Sequence, residues 1–174
     1  MIKHQTVSGH LDQVFKKNHV ALTSEVDNLH STLHVFCHEG KAQFGKNLKR
    51  ADEAIRRLQR HLTTVMAYEE KCLFPFINTH IPRLQPLIYL LRSEHEDFRR
   101  YLKSLVRLMT AFKKQKEISQ QYQNMHQIRE EGIYLVCLLR SHLGVETHNL
   151  YKTADKELHS GERHRLIQEI GKYS

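Results

Sequence analysis

The sequence predicts an all-α protein that folds as an antiparallel, up-down four-helix bundle with a short C-terminal helical extension. Apolar residues recur at helical spacing along most of the chain, and such a stripe is buried against other helices. Only 7 glycines and 3 prolines occur among the 174 residues, and the abundant Leu, Lys, Arg, Glu and Gln favour helices. Long helices joined by short connections are typical of antiparallel bundles.

Four long helices and one shorter helix follow from this periodicity. We expect residues 1–9 to form an irregular lead-in and residues 10–174 to form a single domain. The helices are predicted at about residues 10–38, 47–74, 86–109, 119–152 and 155–170.

Glycine, proline and a polar segment mark the predicted connections. Gly40 and Gly45 bracket a break after the first helix, and Pro75 is expected to end or kink the second. Residues 78–86 contain two further prolines and are predicted to connect the second helix to the third. The polar segment 113–116 is predicted to be a turn before the fourth helix.

Composition limits the classes of function. The longest apolar run, residues 133–139, is far too short to cross a bilayer. The N-terminus lacks the apolar core of a signal peptide, so we expect a soluble cytoplasmic protein. Cys37, Cys72 and Cys137 are far apart and odd in number, which indicates buried free thiols rather than a thiolate metal site.

The chain carries a formal net charge of +8. The simplest interpretation of this excess positive charge is that it lies on helix faces exposed to solvent. The alternative is a basic surface that docks an acidic protein partner. No nucleic-acid-binding motif accompanies the charge, so a nucleic-acid partner is not expected.

The chain also contains an internal repeat. Residues 18–29 align with residues 94–105, and residues 65–74 align with residues 142–151. Two helix pairs with equivalent inward positions predict a pseudo-twofold arrangement about the bundle axis. The same symmetry predicts a site in the middle of the bundle, where the two halves meet.

Matched inward residues predict that this site binds metal. The repeat pairs His19 with His95 and Glu69 with Glu146. His142 and Glu146 are four residues apart and therefore share one face of a helix. Nitrogen and oxygen donors together suit iron or manganese. Glu69 and Glu146 would bridge two ions, and without metal they would face each other as like charges with raised pKa values.

Four segments also carry a family resemblance. They are His19, Glu69-Glu-Lys-Cys-Leu-Phe-Pro75, Leu91-Arg-Ser-Glu-His95, and His142-Leu-Gly-Val-Glu146 followed by Leu150-Tyr151. With these segments, over roughly residues 11–155, the chain resembles the hemerythrin-like (HHE cation-binding) domain, and its wide intervals most resemble the di-iron branch that repairs iron–sulfur clusters. The resemblance implies a four-helix bundle holding non-haem iron, about two ions or one, that binds oxygen, nitric oxide or peroxide.

The sequence departs from the family pattern at two positions. Val65 stands where the family has a His four residues before the second-helix Glu. Arg99 stands where oxygen carriers place a His one turn after the third-helix His, so reversible oxygen carriage is not favoured. His61 lies one turn before Val65 on the same face, and it would become a ligand only if the helix shifted or the site were displaced. Otherwise His61 is a core or rim histidine.

Three functions remain open from the sequence. The first is a non-haem iron protein that binds or senses oxygen, nitric oxide or peroxide, with His95 and His142 at the stronger metal position and His19 at the weaker one. In that case an open coordination position lies beside Val65. The second is an iron-donating or redox enzyme in iron–sulfur cluster repair or peroxide handling. The third is a degenerate, metal-free bundle that acts as an interaction module, and Val65 is the main argument for it.

Overall fold

A computed structural model describes residues 8–38 and 44–171, and the side chains of residues 19–37 and 45–171. These residues confirm the all-α prediction. Two π-helical turns, Glu69–Leu73 and Glu146–Tyr151, and one 3-10 turn, Pro82–Leu84, lie between α-helices. The α-helices are α1 (Ser8–His38), α2 (Phe44–Tyr68), α3 (Phe74–His80), α4 (Gln85–Lys114), α5 (Ile118–Val145), α6 (Lys152–Glu157) and α7 (Ser160–Gly171).

Helices α1, α2, α4 and α5 pack as the bundle. Helix α1 contacts α2 and α5, and α4 contacts α5 and α2, while α7 lies against α1 and the first π turn. Each long helix contributes leucines with no solvent exposure to a shared core, for example Leu29, Leu58, Leu105 and Leu139. Burying one such side chain contributes about 2 kcal/mol. Packing of these apolar faces therefore holds the helices in place more than their intrinsic propensity does.

Gly132 allows α1 and α5 to approach closely. A β-carbon at this position would lie 2.3 Å from Cδ1 of Leu33, far inside van der Waals contact. Leu33 is buried, so its side chain occupies the space that the glycine leaves. This contact sets the spacing of the two helices that carry His19 and His142.

Pro75, which was predicted to end or kink the second helix, does not end the helical run. The chain remains helical through the first π turn and α3 to His80. Within that turn the backbone N–H of Phe74 donates to the carbonyl oxygen of Glu69, five residues back. Pro75 then falls in the first turn of α3, where a missing N–H costs little. The predicted connection from residue 78 onward is therefore shorter than expected.

The other helix bounds differ from the prediction by a few residues. Helix α1 begins at Ser8, inside the predicted lead-in, and α2 includes Gly45. The rest of the lead-in and Gly40 lie outside the described residues. The predicted fifth helix begins after Leu158 rather than at residue 155, because Leu158 has an extended backbone that ends α6.

The membrane and cysteine expectations have separate outcomes. Within residues 8–38 and 44–171, no helix combines the length and apolar character needed to cross a bilayer. All three cysteines are free thiols, with Cys72 buried and Cys37 half-buried. Cys137 is exposed, so its predicted burial was wrong. Cys137 lies on the outer side of α5. The opposite side of this helix faces the core through Val136 and Leu139.

Candidate metal centre

The structure brings the predicted His and Glu residues together in the middle of the bundle. His19 lies on α1, His95 on α4 and His142 near the end of α5, while Glu69 and Glu146 each begin a π-helical turn. All of these side chains are buried. The two π turns occupy equivalent positions of the internal repeat, and such turns are frequent at functional sites.

Two imidazoles and two carboxylates converge on one side of the centre. His95 Nε2 lies 3.3 Å from His142 Nε2. Glu69 Oε2 lies 3.4 Å from His95 Nε2, and Glu146 Oε1 lies 3.5 Å from His142 Nε2. Ligating atoms of all four residues lie within 4.8 Å of one another. We call this group the two-histidine position.

His19 and Tyr151 face the same two carboxylates from the other side. His19 Nε2 lies 3.0 Å from Glu146 Oε2 and 2.9 Å from Tyr151 Oη. The Tyr151 hydroxyl donates to Glu69 Oε1 over 3.3 Å. We call this group the single-histidine position. Each carboxylate therefore offers one oxygen to each position, because Glu69 and Glu146 lie between them.

Acidic side chains hold the outer nitrogens of the two-histidine position. Glu70 Oε1 lies 2.7 Å from His95 Nδ1, and Glu94 Oε2 lies 2.7 Å from His142 Nδ1. Arg99 donates to both oxygens of Glu70 over 2.8 Å. A carboxylate that accepts from Nδ1–H fixes the tautomer and leaves the Nε2 lone pair directed at the centre. Histidines that bind metal commonly have such partners.

For His19, the partner of the outer nitrogen is a neutral hydroxyl rather than a carboxylate. Thr147 Oγ1 lies 3.1 Å from His19 Nδ1. The Thr147 hydroxyl donates to the carbonyl oxygen of Leu143 over 2.8 Å, so its oxygen accepts from the His19 ring. The ring is again oriented with Nε2 inward, but its partner is uncharged.

The two central carboxylates differ in charge when no metal is bound. Burial and the nearby Glu146 carboxylate raise the pKa of Glu69 well above its usual range. Burial also raises the pKa of Glu146, but the charge of His142 and the hydrogen bond from His19 outweigh it and lower that pKa to about 2. The prediction that both pKa values are raised therefore holds for Glu69 and was wrong for Glu146. The reason is that the imidazoles pair unequally with the two carboxylates.

The pKa values of the two imidazoles in the two-histidine position also shift in opposite directions. Burial lowers the pKa of His142, but Glu146 and Glu94 outweigh it and raise this pKa to about 9. Burial and the positive charge of His142 lower the pKa of His95. Without metal at neutral pH, the centre thus pairs protonated His142 with ionised Glu146, while the pKa shifts of His95 and Glu69 favour their neutral forms.

These donors fit a metal ion. Glu146 Oε1 is buried and accepts no hydrogen bond from the described residues. His95 Nε2 and His142 Nε2 face each other although carboxylates already engage both outer nitrogens. Buried ionisable groups normally require a compensating partner, and a cation between them supplies one. Imidazole and carboxylate donors suit iron or manganese.

The family model of the hemerythrin HHE cation-binding domain matches residues 10–154 of the chain. The chain belongs to the hemerythrin family. The matched region contains every residue of the centre, and the cation-binding description agrees with its buried His and Glu side chains. A search of curated proteins finds no match to this hemerythrin-family chain.

The structure does not bring His61 to the centre. His61 precedes Glu69 by eight residues, or about 12 Å of helix rise. It is not part of the described group whose ligating atoms lie within 4.8 Å of one another. Val65, one turn before Glu69, is buried with 5% exposure. An apolar side chain therefore remains where the family pattern has an imidazole.

Sequence reasoning missed Tyr151, Glu70, Glu94 and Thr147 as parts of the centre. Glu70 and Glu94 each adjoin a predicted ligand in the sequence, and a carboxylate beside a ligand is a usable signal for an orienting partner. Tyr151 aligns with Phe74 in the internal repeat. The exchange of Phe for Tyr between the halves was therefore visible in the sequence.

A cavity of about 320 Å³ opens between α1 and α5 beside the single-histidine position. His19 and Thr147 are among its lining residues, and its wall is mostly apolar, with Val26 and Gly144 also lining it. Arg140 also lines the cavity and forms an exposed ion pair of 2.7 Å with Asp27. The cavity gives a small molecule an approach to His19 from solvent.

Proposed function

We propose that this chain is a non-haem di-iron protein that binds or senses oxygen, nitric oxide or peroxide. The observation that supports it most is the pair of carboxylates, Glu69 and Glu146, which each offer one oxygen to each metal position. Two-metal sites in other proteins use such shared carboxylates. Manganese binds to the same types of donor, so the choice of iron over manganese is itself part of the proposal.

The proposal assigns different histidines to the two metal positions. His95 and His142 hold one ion and are oriented by Glu70 and Glu94, while His19 holds the other. Bound iron would supply a redox-active centre that can bind a small ligand. Phe98 is fully buried, lies edge-on to His142 with ring centroids 4.9 Å apart, and keeps water from that side.

A second candidate is an iron donor in iron–sulfur cluster repair. It is favoured by Val65, because among the side chains that the structure describes a single imidazole, that of His19, reaches the single-histidine position. An ion with fewer strong ligands would exchange more readily. Transfer of iron to an apo-cluster protein faster than spontaneous loss to solvent would support this candidate over ligand sensing.

Elemental analysis tests the metal proposal directly. Protein purified without chelators is expected to contain about two iron ions per chain. Glu69→Ala is expected to lose both ions, because it removes an oxygen from each position, and His142→Ala is expected to lose at least the ion of the two-histidine position. His148→Ala is the matched control, since His148 is an exposed histidine of the second π turn and should keep full occupancy.

The other outcomes of that analysis are equally informative. About one ion per chain would restrict the proposal to the two-histidine position. A folded, helical protein without metal would contradict both iron functions and leave the interaction module, with an acidic protein as the partner of its basic surface.

The cavity beside His19 gives a second prediction. Gly144 lines the cavity, and a β-carbon there would meet no atom within 4 Å, so Gly144→Leu is designed to narrow the cavity without a clash at the β-carbon. The expected result is a roughly tenfold slower association of nitric oxide with unchanged iron content. Stopped-flow absorbance of the ferrous protein measures the rate. Gly161→Leu is the control, because Gly161 also has open space around it and lies on α7. Equal rates in both variants would mean that the ligand enters elsewhere.

A further inference from the structure

The two halves of the centre differ by a paired exchange of side chains. In the internal repeat Val65 corresponds to His142, and Tyr151 corresponds to Phe74. The ring of Phe74 stacks on His95, with centroids 5.5 Å apart. The two-histidine side of the centre therefore has the imidazole of His142 and the phenyl ring of Phe74. At the equivalent places, the single-histidine side has the isopropyl group of Val65 and the phenol of Tyr151.

Tyr151 contacts His19 in the corresponding way. Its ring meets the His19 ring edge-on, with centroids 4.9 Å apart, and its side chain is buried at 7% exposure. The single-histidine half thus lacks a nitrogen donor at Val65 but has an oxygen donor at Tyr151, where the partner half has only the carbon ring of Phe74.

The Tyr151 hydroxyl is also at the right spacing to be a ligand. Its oxygen lies 2.9 Å from His19 Nε2 and 3.3 Å from Glu69 Oε1. The corresponding nitrogen of the partner half, His142 Nε2, lies 3.3 Å from His95 Nε2. Neighbouring ligand atoms around an octahedral ion with bonds of about 2.1 Å are about 3.0 Å apart. Oη of Tyr151 is therefore spaced from the other donors as adjacent ligands are.

We propose that Tyr151 is a metal ligand whose phenol oxygen replaces, at the single-histidine position, the imidazole that Val65 lacks. This inference rests on the proposed metal function. When the ion binds, the Tyr151 hydroxyl gives its proton to solvent and the phenolate oxygen forms the bond to the ion. Iron is bound by a tyrosine oxygen in some haem proteins, so the donor type is established for this metal.

The consequence is that the two ions are not equivalent. The two-histidine position offers two nitrogens and one oxygen from each carboxylate. The single-histidine position offers one nitrogen, one oxygen from each carboxylate and the phenolate. An additional anionic oxygen favours ferric iron, because hard oxygen donors stabilise the more highly charged ion. The ion beside Tyr151 is therefore the one that stays ferric on mild reduction.

Spectroscopy of the iron-loaded full chain tests the inference. The protein is loaded with ferrous iron and oxidised in air, and its visible absorption and resonance Raman spectra are recorded. A phenolate bound to ferric iron gives a visible charge-transfer band and enhanced tyrosine ring vibrations. Both signals are expected in the wild type, to disappear in Tyr151→Phe, and to persist in Tyr101→Phe, whose tyrosine packs against Tyr134. Iron content is expected to fall from about two ions to about one in Tyr151→Phe.

A double variant provides the rescue. Val65→His combined with Tyr151→Phe restores the two-imidazole pattern of the partner half, so the second ion is expected to return without the phenolate signals. Circular dichroism confirms folding in each case. If Tyr151→Phe does not fold, the wild-type spectrum alone decides, because the ring vibrations are either present or absent.

The contrary results separate this inference from the proposed function. Iron-loaded wild type without phenolate signals would overturn the role of Tyr151 as a ligand, and the hydroxyl would then be a hydrogen-bonding partner of Glu69 and His19. The di-iron proposal would still stand in that case. Wild type that takes up no iron would overturn both.

Discussion

Replacement of Glu146 by glutamine is expected to abolish binding of both metal ions and to destabilise the metal-free protein by about 3 kcal/mol. A neutral amide cannot offer an anionic oxygen to both positions, as Glu146 does through Oε1 and Oε2. Without metal, Glu146 is the ionised partner of protonated His142, whose pKa is raised to about 9. The variant leaves that buried cation with Glu94 as its acidic neighbour, which limits the loss.

The matched control is Glu69→Gln, which changes the symmetry-equivalent carboxylate. It is also expected to lose metal, but to destabilise the metal-free protein less than Glu146→Gln does, because the raised pKa of Glu69 favours the neutral form that glutamine resembles. A carboxyl group whose pKa is raised on folding costs stability once the pH exceeds its unfolded value of about 4.3. The stability of Glu69→Gln relative to wild type should therefore increase as the pH rises from 4.3.

Elemental analysis and urea unfolding in the presence of a chelator, at several pH values, measure these effects. Equal destabilisation by the two substitutions would contradict the opposite pKa shifts of Glu146 and Glu69. Retention of metal in Glu146→Gln would contradict its bridging role.

Much of the candidate centre could be predicted because it repeats. The alignment of His19 with His95 and of Glu69 with Glu146 depends on helical spacing alone. The structure brings ligating atoms of Glu69, His95, His142 and Glu146 within 4.8 Å of one another and places buried His19 against Glu146. A repeat fixes which face of each helix turns inward in both halves at once. A single His or Glu in a helix carries no such information.

The π turns could not be predicted, and with them the position of Tyr151. On an unbroken α-helix, Tyr151 would lie about 140° around the axis from Glu146, since successive residues are about 100° apart. The π turn that begins at Glu146 widens the spacing to five residues per hydrogen bond and brings the phenol to the centre. The first π turn places Pro75 in the first turn of a new helix for the same reason.

Contacts between distant helices account for the remaining omissions. Glu94 precedes His95 in sequence but bonds to His142, and Glu70 follows Glu69 but bonds to His95. Helical periodicity predicts which face a residue lies on. It does not predict which side chain of another helix that residue meets.

Substitution of Phe98 by alanine is expected to lower the free energy of unfolding by about 4 kcal/mol and to weaken metal binding about tenfold. Phe98 has no solvent exposure, and its ring contacts both imidazoles of the two-histidine position, with centroids 6.0 Å from His95 and 4.9 Å from His142. Truncation leaves a cavity beside these rings. The imidazoles then gain freedom to turn, although Glu70 and Glu94 still hold their outer nitrogens.

Phe112→Ala separates the two effects. Phe112 is also buried on α4 and packs against Phe36, with ring centroids 5.4 Å apart, but it lies 14 residues beyond Phe98, about 21 Å along the helix. Its truncation should cost about the same stability and leave metal affinity unchanged. Urea unfolding of the metal-free proteins and competition with a chromophoric chelator measure the two quantities. If both variants weaken metal binding equally, the centre responds to the global stability of the bundle. If only Phe98→Ala does, the packing around His95 and His142 itself holds the ligands in position.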